Sequence, residues 1–111
     1  MYKRATQFHF GVSSSAFQTE GACAEDGKGF SIWDTFLSKR RWFRKNITKR
    51  DACEFYKRYQ EDLDLLRQLG IPNFRTSISW PRIFPQGGGT INKKGIDHYK
   101  QLFESCLERD I

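Results

Sequence analysis

By type and placement, the side chains of this 111-residue sequence that could do chemistry are Gln18, Glu20 and Arg75. Gln18 and Glu20 belong to FHFGVSSSAFQTEGA, residues 8–22. This stretch opens as an alternating apolar run and dissolves into small residues. It then presents one amide and one carboxylate ahead of Gly21. A carboxamide carries both a donor and an acceptor, so it can fork onto two neighbouring hydroxyls of a sugar ring. A lone loop glutamine is otherwise uninformative. Arg75 is a fixed cation inside a second apolar run and needs either solvent or an acid.

The elements that must position these groups follow from periodicity. Phe8, Phe10 and Val12 alternate with His9, Gly11 and Ser13, so residues 7–13 read as a strand. From Ser14 to Arg50 no period is sustained, and a loop of that length is expected to be functional or disordered. Its aromatics, Phe17, Phe30, Trp33, Phe36, Trp42 and Phe43, argue that most of it packs down. DGKG at 26–29 signals a turn. Tyr56, Tyr59, Leu63 and Leu66 step by three and four, which predicts a helix from about Asp51 to Leu69 closed by Gly70 and Pro72. NFRTSISW, residues 73–80, reads as the second strand, and Pro81 and Pro85 frame an irregular exit. A second helix is expected from about Lys93 to Glu108, with Asn92 as its cap and Ile96, Tyr99, Phe103 and Cys106 as its stripe. Strands alternating with amphipathic helices imply parallel βαβ units and an α/β fold. Two strands cannot make a buried parallel sheet, so a third strand or a larger barrel is expected beyond them.

Alternation divides the second strand into Phe74, Ile78 and Trp80, with Thr76 between them, and Asn73, Arg75, Ser77 and Ser79. In a (β/α) barrel the apolar set would face the helices and Arg75 would point inward. An inward arginine needs a carboxylate that no neighbouring residue supplies. An exposed arginine on an edge strand is the other reading, and the pattern alone leaves both open.

Composition bounds the class. Aromatic residues reach 15%, too many for a disordered chain. The net charge of +6 is local: Lys39, Arg40, Arg41, Arg44, Lys45, Lys49 and Arg50 share one twelve-residue window. A solvated loop explains this better than a nucleic-acid surface, although an anionic partner would also fit. Cys23, Cys53 and Cys106 are odd in number and widely spaced, without metal-ligand spacing, and are expected to be free thiols. No cofactor or metal is expected. The start of the chain, MYKRATQFHF, lacks the apolar run of a signal peptide, and no stretch is long enough to span a membrane. The expectation is a cytoplasmic protein with no membrane or nucleic-acid partner.

FHFGVSSSAFQTEGA resembles the N-terminal signature of family 1 glycoside hydrolases, the β-glucosidase and 6-phospho-β-glucosidase group. EDGKGFSIWDTF at 25–36 is similar to the family's next block, which usually has Pro where this chain has Phe30. DACEFYKRYQEDLDLLRQLGI at 51–71 resembles its first barrel helix, and NFRTSISWPRIFPQGGGTINKKGIDHYKQLF at 73–103 its second strand, exit loop and helix. The resemblance runs in order over nearly the whole chain. It implies a (β/α)8 TIM barrel, of which residues 1–111 are the N-terminal portion, about the first two βα units.

The resemblance further implies retaining hydrolysis of terminal β-glycosidic bonds by two glutamates roughly 5 to 5.5 Å apart. The family carries them in an asparagine-glutamate-proline and a glutamate-asparagine-glycine motif. Neither motif occurs here, so this chain alone is expected to be inactive and to require the remainder of the barrel. By position, Gln18 matches the family glutamine that hydrogen-bonds sugar hydroxyls, and Arg75 the arginine that contacts the nucleophilic carboxylate. Glu20 matches a residue that orders the loop, and Trp33 and Trp80 match packing tryptophans. Phe10 stands where many members have Trp, and Thr76 where an aromatic is usual. The expected partner is a β-glycoside or oligosaccharide. The alternatives are a non-catalytic family-like carbohydrate-binding or receptor module, and a small autonomous α/β domain. The lack of GxGxxG and GxxxxGK[ST] runs argues against nucleotide binding in the latter.

Overall fold

The computed structural model describes residues 8–39 and 53–111. The basic segment at 40–50, and the expected first residues of the first strand and first long helix at 7 and 51–52, lie outside the described residues. The elements in chain order are β1 (Val12–Ser13), α1 (Ala16–Thr19), α2 (Ile32–Lys39), α3 (Phe55–Gln68), β2 (Phe74–Arg75), α4 (Trp80–Ile83) and α5 (Lys93–Leu107). β1 and β2 pair in parallel, Val12 opposite Phe74 and Ser13 opposite Arg75, with α3 as the crossover. This is the βαβ unit that the alternation predicts.

Both strands are shorter than their patterns. Among the described residues the ladder holds only at 12–13 and 74–75. Val12 N donates to Asn73 O at 3.0 Å and Ser14 N to Arg75 O at 2.8 Å. Phe8 and Phe10 precede the ladder, exposed and edge-to-face at 4.7 Å. The backbones are closest at Gly11, where a Cβ would lie 2.7 Å from Asn73 O.

Beyond Arg75 the ladder ends because its partner strand turns into α1 at Ala16; residues 76–79 carry no ladder, and α4 follows with Pro81 in its first turn, where proline is pre-organised for helix. The two-face reading of 73–80 therefore holds for Phe74, which packs on the core, and fails for Ile78 and Trp80, which are 51% and 59% exposed.

The core lies between α3 and α5. Phe55, Leu63, Tyr99 and Leu102 are buried together, and Tyr59, Leu66, Phe74, Ile83, Cys106 and Ile111 pack against them. The stripe of α5 is rotated from the expected one. Gly95, His98, Tyr99, Leu102 and Ser105 are buried, whereas Ile96 and Phe103 are 41% and 43% exposed. The rotation follows from what α5 packs on: the backbone of Arg82 in α4, and α3, where it meets the ring of Tyr56. A Cβ on Gly95 would collide with Arg82 O, and His98 lies 4.0 Å from Tyr56 between ring centres. Asn92 occupies the N-cap position of α5, but its side chain makes no cap hydrogen bond. Its amide instead donates to Asp26 O at 2.8 Å and Arg82 O at 2.9 Å, joining the turn at Asp26 to α4.

α2 falls inside the stretch expected to lack regular structure. No residue of it is buried, and at eight residues it is too short to sustain a period, although Trp33, Phe36 and Leu37 recur at helical spacing. Its start was nevertheless legible as a capping box. Ser31 N donates to Asp34 Oδ2 at 2.8 Å, and Asp34 N returns a bond to Ser31 Oγ at 3.2 Å.

Candidate functional site

The ends of β1 and β2 bring the candidate residues to one edge of the molecule. After Ser13 the chain makes a single helical turn, α1, tied by Thr19 Oγ1 to Ser15 O at 3.0 Å and to Ser14 Oγ at 2.8 Å. Gln18 is exposed on this turn, and its Oε1 accepts from Ser15 Oγ at 2.8 Å. The amide nitrogen has no hydrogen-bond partner among the described residues. Ala16 N donates across the gap to Ser77 Oγ at 2.9 Å, which fixes α1 to the exit of β2. Arg75 stands two residues earlier on that exit, exposed, with no ion-pair partner among the described residues. In this chain its surroundings are those of the edge-strand reading.

Glu20 points the other way. It is 4% exposed, and Arg82 on α4 is fully buried against it. Arg82 Nε and Nη2 each lie 3.1 Å from Glu20 Oε2, while Tyr99 donates to Oε1 at 2.6 Å. Both carboxylate oxygens are thus held by donors from two different helices. Arg82 Nη2 also faces the carbonyls of Gly21 and Ala22 at 3.4 and 3.5 Å, and the guanidinium carbon sits 3.9 Å from the centre of the Tyr56 ring. The Tyr99 hydroxyl accepts from Ser79 N at 2.7 Å, and Tyr56 N donates to Glu20 O at 3.0 Å. Glu20 therefore joins the exit of β1 to α4 and the middle of α5 through its carboxylate, and to the start of α3 through its backbone carbonyl.

The surrounding titratable groups follow from burial. The Tyr99 phenol is pushed well above its ordinary range by burial, with the Glu20 carboxylate adding to the effect, so it stays a donor. Tyr56 is pushed up to about 12 by burial and by its hydrogen bond to Asp26. Asp26 is lowered, first by the hydroxyl of Tyr56 and then by Lys94. His98 is driven down to about 4 by burial and by the nearby Arg82 cation. Its Nε2, like Arg82 Nη1, is buried with no hydrogen-bond partner among the described residues.

Trp33 and Trp80 lie further out and both are more than half exposed. Trp33 packs on Phe17 at 5.6 Å, next to the Gln18 turn. Trp80 lies on Phe84 at 4.7 Å and donates to Gly87 O at 3.0 Å. Beneath them Lys28 and Asp34 form an ion pair at 3.3 Å with both side chains 8% exposed. Among the described residues no three His, Cys, Asp or Glu side chains are grouped to hold a metal ion, and no helix is long and apolar enough to cross a membrane.

Residues 3–111 match the model of Glycosyl hydrolase family 1. The chain belongs to glycosyl hydrolase family 1. It is 47% identical over 104 residues to Beta-glucosidase A of Acetivibrio thermocellus, a match covering 94% of this chain and 23% of that protein. It is 42% identical over 109 residues to a 6-phospho-beta-galactosidase of Staphylococcus epidermidis, covering 98% of this chain and 22% of that one. Among solved structures, a rice β-glucosidase superposes with a TM-score of 0.88 at 40% identity, covering 96% of this chain and 22% of its own. A family 1 β-glucosidase of Thermotoga maritima superposes with a TM-score of 0.84 at 37% identity, covering 100% and 26%. This family 1 chain thus has the fold of the N-terminal part of the family's (β/α)8 barrel, with its two parallel strands and their helices, and spans 22% to 26% of these relatives.

Sequence reasoning singled out Gln18, Glu20 and Arg75 and passed over Arg82 and Tyr99. In sequence Arg82 is one cation in a proline-framed loop, and Tyr99 is one stripe residue of a helix. Their partner Glu20 lies 62 and 79 positions away, so no local pattern joins them.

Proposed function

We propose that this chain is the opening part of a retaining β-glycosidase and supplies part of its sugar subsite. In this reading Gln18 forks onto neighbouring hydroxyls of the sugar, its exposed amide nitrogen donating and its carbonyl oxygen accepting. Arg75 places its guanidinium beside the nucleophilic carboxylate of the complete barrel. A cation there favours the ionised nucleophile. The two catalytic glutamates belong to the rest of the barrel, since neither family motif occurs in the 111 residues. The reading is carried by one observation: within a family match over residues 3–111, Gln18 and Arg75 stand exposed at the adjoining exits of two paired strands.

The test is made in the complete barrel protein carrying this segment. Gln18→Ala removes one or two hydrogen bonds to the sugar and should lower kcat/KM roughly 10- to 100-fold. The melting temperature should not move, because the side chain is exposed and bonded only to Ser15. An unchanged kcat/KM overturns the assignment. The isolated 111-residue chain should show no saturable turnover of a chromogenic β-glycoside.

A further inference from the structure

The turn carrying Gln18 is held at its start by the exit of β2 and at its end by α4 and α5. At its start, Ala16 N donates to Ser77 Oγ. At its end, Glu20 is bound through one oxygen by Arg82 and through the other by Tyr99, whose hydroxyl also accepts from Ser79 N. Gln18 lies between these anchors, and Arg75 lies two residues before the first of them on β2. A buried ion pair is often no more stabilising than an apolar pair of the same volume, because desolvation offsets the attraction. Stability alone therefore does not account for a charged pair here. What the pair supplies is direction: a carboxylate bonded at both oxygens from two helices has one orientation.

We infer that Glu20, Arg82 and Tyr99 form a positioning unit that sets the Gln18 amide relative to Arg75 across the two strand exits. The inference rests on the reading of Gln18 as a sugar ligand. The unit touches no substrate and acts through Gln18. Arg82 is locked in turn by the ring of Tyr56 against its guanidinium and by Asn92 on its carbonyl.

A double-mutant cycle in the complete barrel protein tests this. The substrate is p-nitrophenyl β-glucoside or 6-phospho-β-galactoside, whichever the unmodified protein turns over faster. Tyr99→Phe keeps the buried ring and removes only the hydroxyl between Glu20 and Ser79. Glu20→Gln removes the charge opposite Arg82. Misplacing a binding group can cost as much as removing it but no more, so Glu20→Gln should lower kcat/KM by up to the roughly 10- to 100-fold expected for Gln18→Ala, with Tyr99→Phe smaller. Each loss should disappear when the same change is made in a Gln18→Ala background, because the group being positioned is already gone. A purely structural role would lower kcat/KM by the same factor in both backgrounds. Multiplicative losses, or a Tyr99→Phe protein with unaltered kcat/KM, overturn the positioning unit. A Gln18→Ala protein with unaltered kcat/KM overturns the reading of Gln18 itself, a distinguishable result. If Glu20→Gln does not fold, the Tyr99→Phe arm decides alone.

Discussion

Lowering the pH from 7.5 to 4.5 should destabilise this chain through one side chain, His98. The ring is 7% exposed, lies against Tyr56, and has its Nε2 buried without a partner among the described residues. Burial and the Arg82 cation bring its pKa from 6.5 to about 4. The unfolded chain therefore takes up a proton that the folded chain refuses. The sign follows: the contribution of neutral His98 is intact above pH 6.5 and is lost as the pH falls from 6.5 towards 4. The shift of about 2.5 units corresponds to at most about 3.4 kcal/mol, of which about 2.5 kcal/mol is lost by pH 4.5. Asp26 and Asp34, both lowered from 3.8, contribute stability that is lost only at still lower pH, so they leave this window clear. The assay is urea denaturation followed by circular dichroism at pH 7.5, 6.5, 5.5 and 4.5, on the unmodified chain and on His98→Phe. The variant keeps an aromatic ring against Tyr56 and removes the titration, so its loss over the window should be smaller by about 2.5 kcal/mol. An NMR titration should find the His98 ring neutral at pH 5.5. A ring that protonates near 6.5 in the folded chain, or two proteins losing stability in parallel, refutes the reasoning.

The remaining predictions concern packing and loop closure. Leu102 is 1% exposed between α3 and α5, so Leu102→Ala should cost about 2 to 5 kcal/mol in urea unfolding, the usual range for a buried leucine. Gly95→Ala should destabilise by at least about 1 to 3 kcal/mol, because the new Cβ meets the Arg82 carbonyl, whereas Gly88→Ala, with open space around it, should be near neutral. Asn92→Asp separates a bridge from a cap: aspartate is a good cap, but its carboxylate would face the carbonyls of Asp26 and Arg82. The substitution should therefore lower the urea midpoint by the equivalent of about 1 to 3 kcal/mol, and a neutral or raised midpoint would restore the capping role.

What the sequence disclosed tracks how local each cause is. The long helices α3 and α5 were legible because apolar side chains recur every three or four positions, and their ends are marked by Gly70 and Asn92. The face α5 buries was not, because Gly95 and His98 are turned inward by Arg82 and Tyr56, contacts without a local trace. The exit of β1 was legible as a polar, glycine-flanked turn. The early end of β2 was not, because alternation continues through 76–80 although the ladder does not. Gln18, Glu20 and Arg75 could be picked out from residue type and family resemblance. The orientation of Glu20 could not, since a carboxylate two residues past Gln18 could face solvent as readily as the interior. α2, only eight residues long, was too short to sustain a period, and its Ser31–Asp34 box is the signal that marks its start.

The span of the Glu20 contacts also sets a schedule for the chain as it is made. Tyr99 follows Glu20 by 79 residues. At synthesis rates of about 5 to 20 residues per second, the carboxylate waits roughly 4 to 16 s for its second donor. Until Ser77 and Arg82 emerge it is a solvated charge on an unanchored turn. The Gln18 turn can therefore take its final place only after α5 has emerged and docked. A stall in translation between Arg82 and Tyr99 would leave that turn as the unfinished edge of a nascent protein.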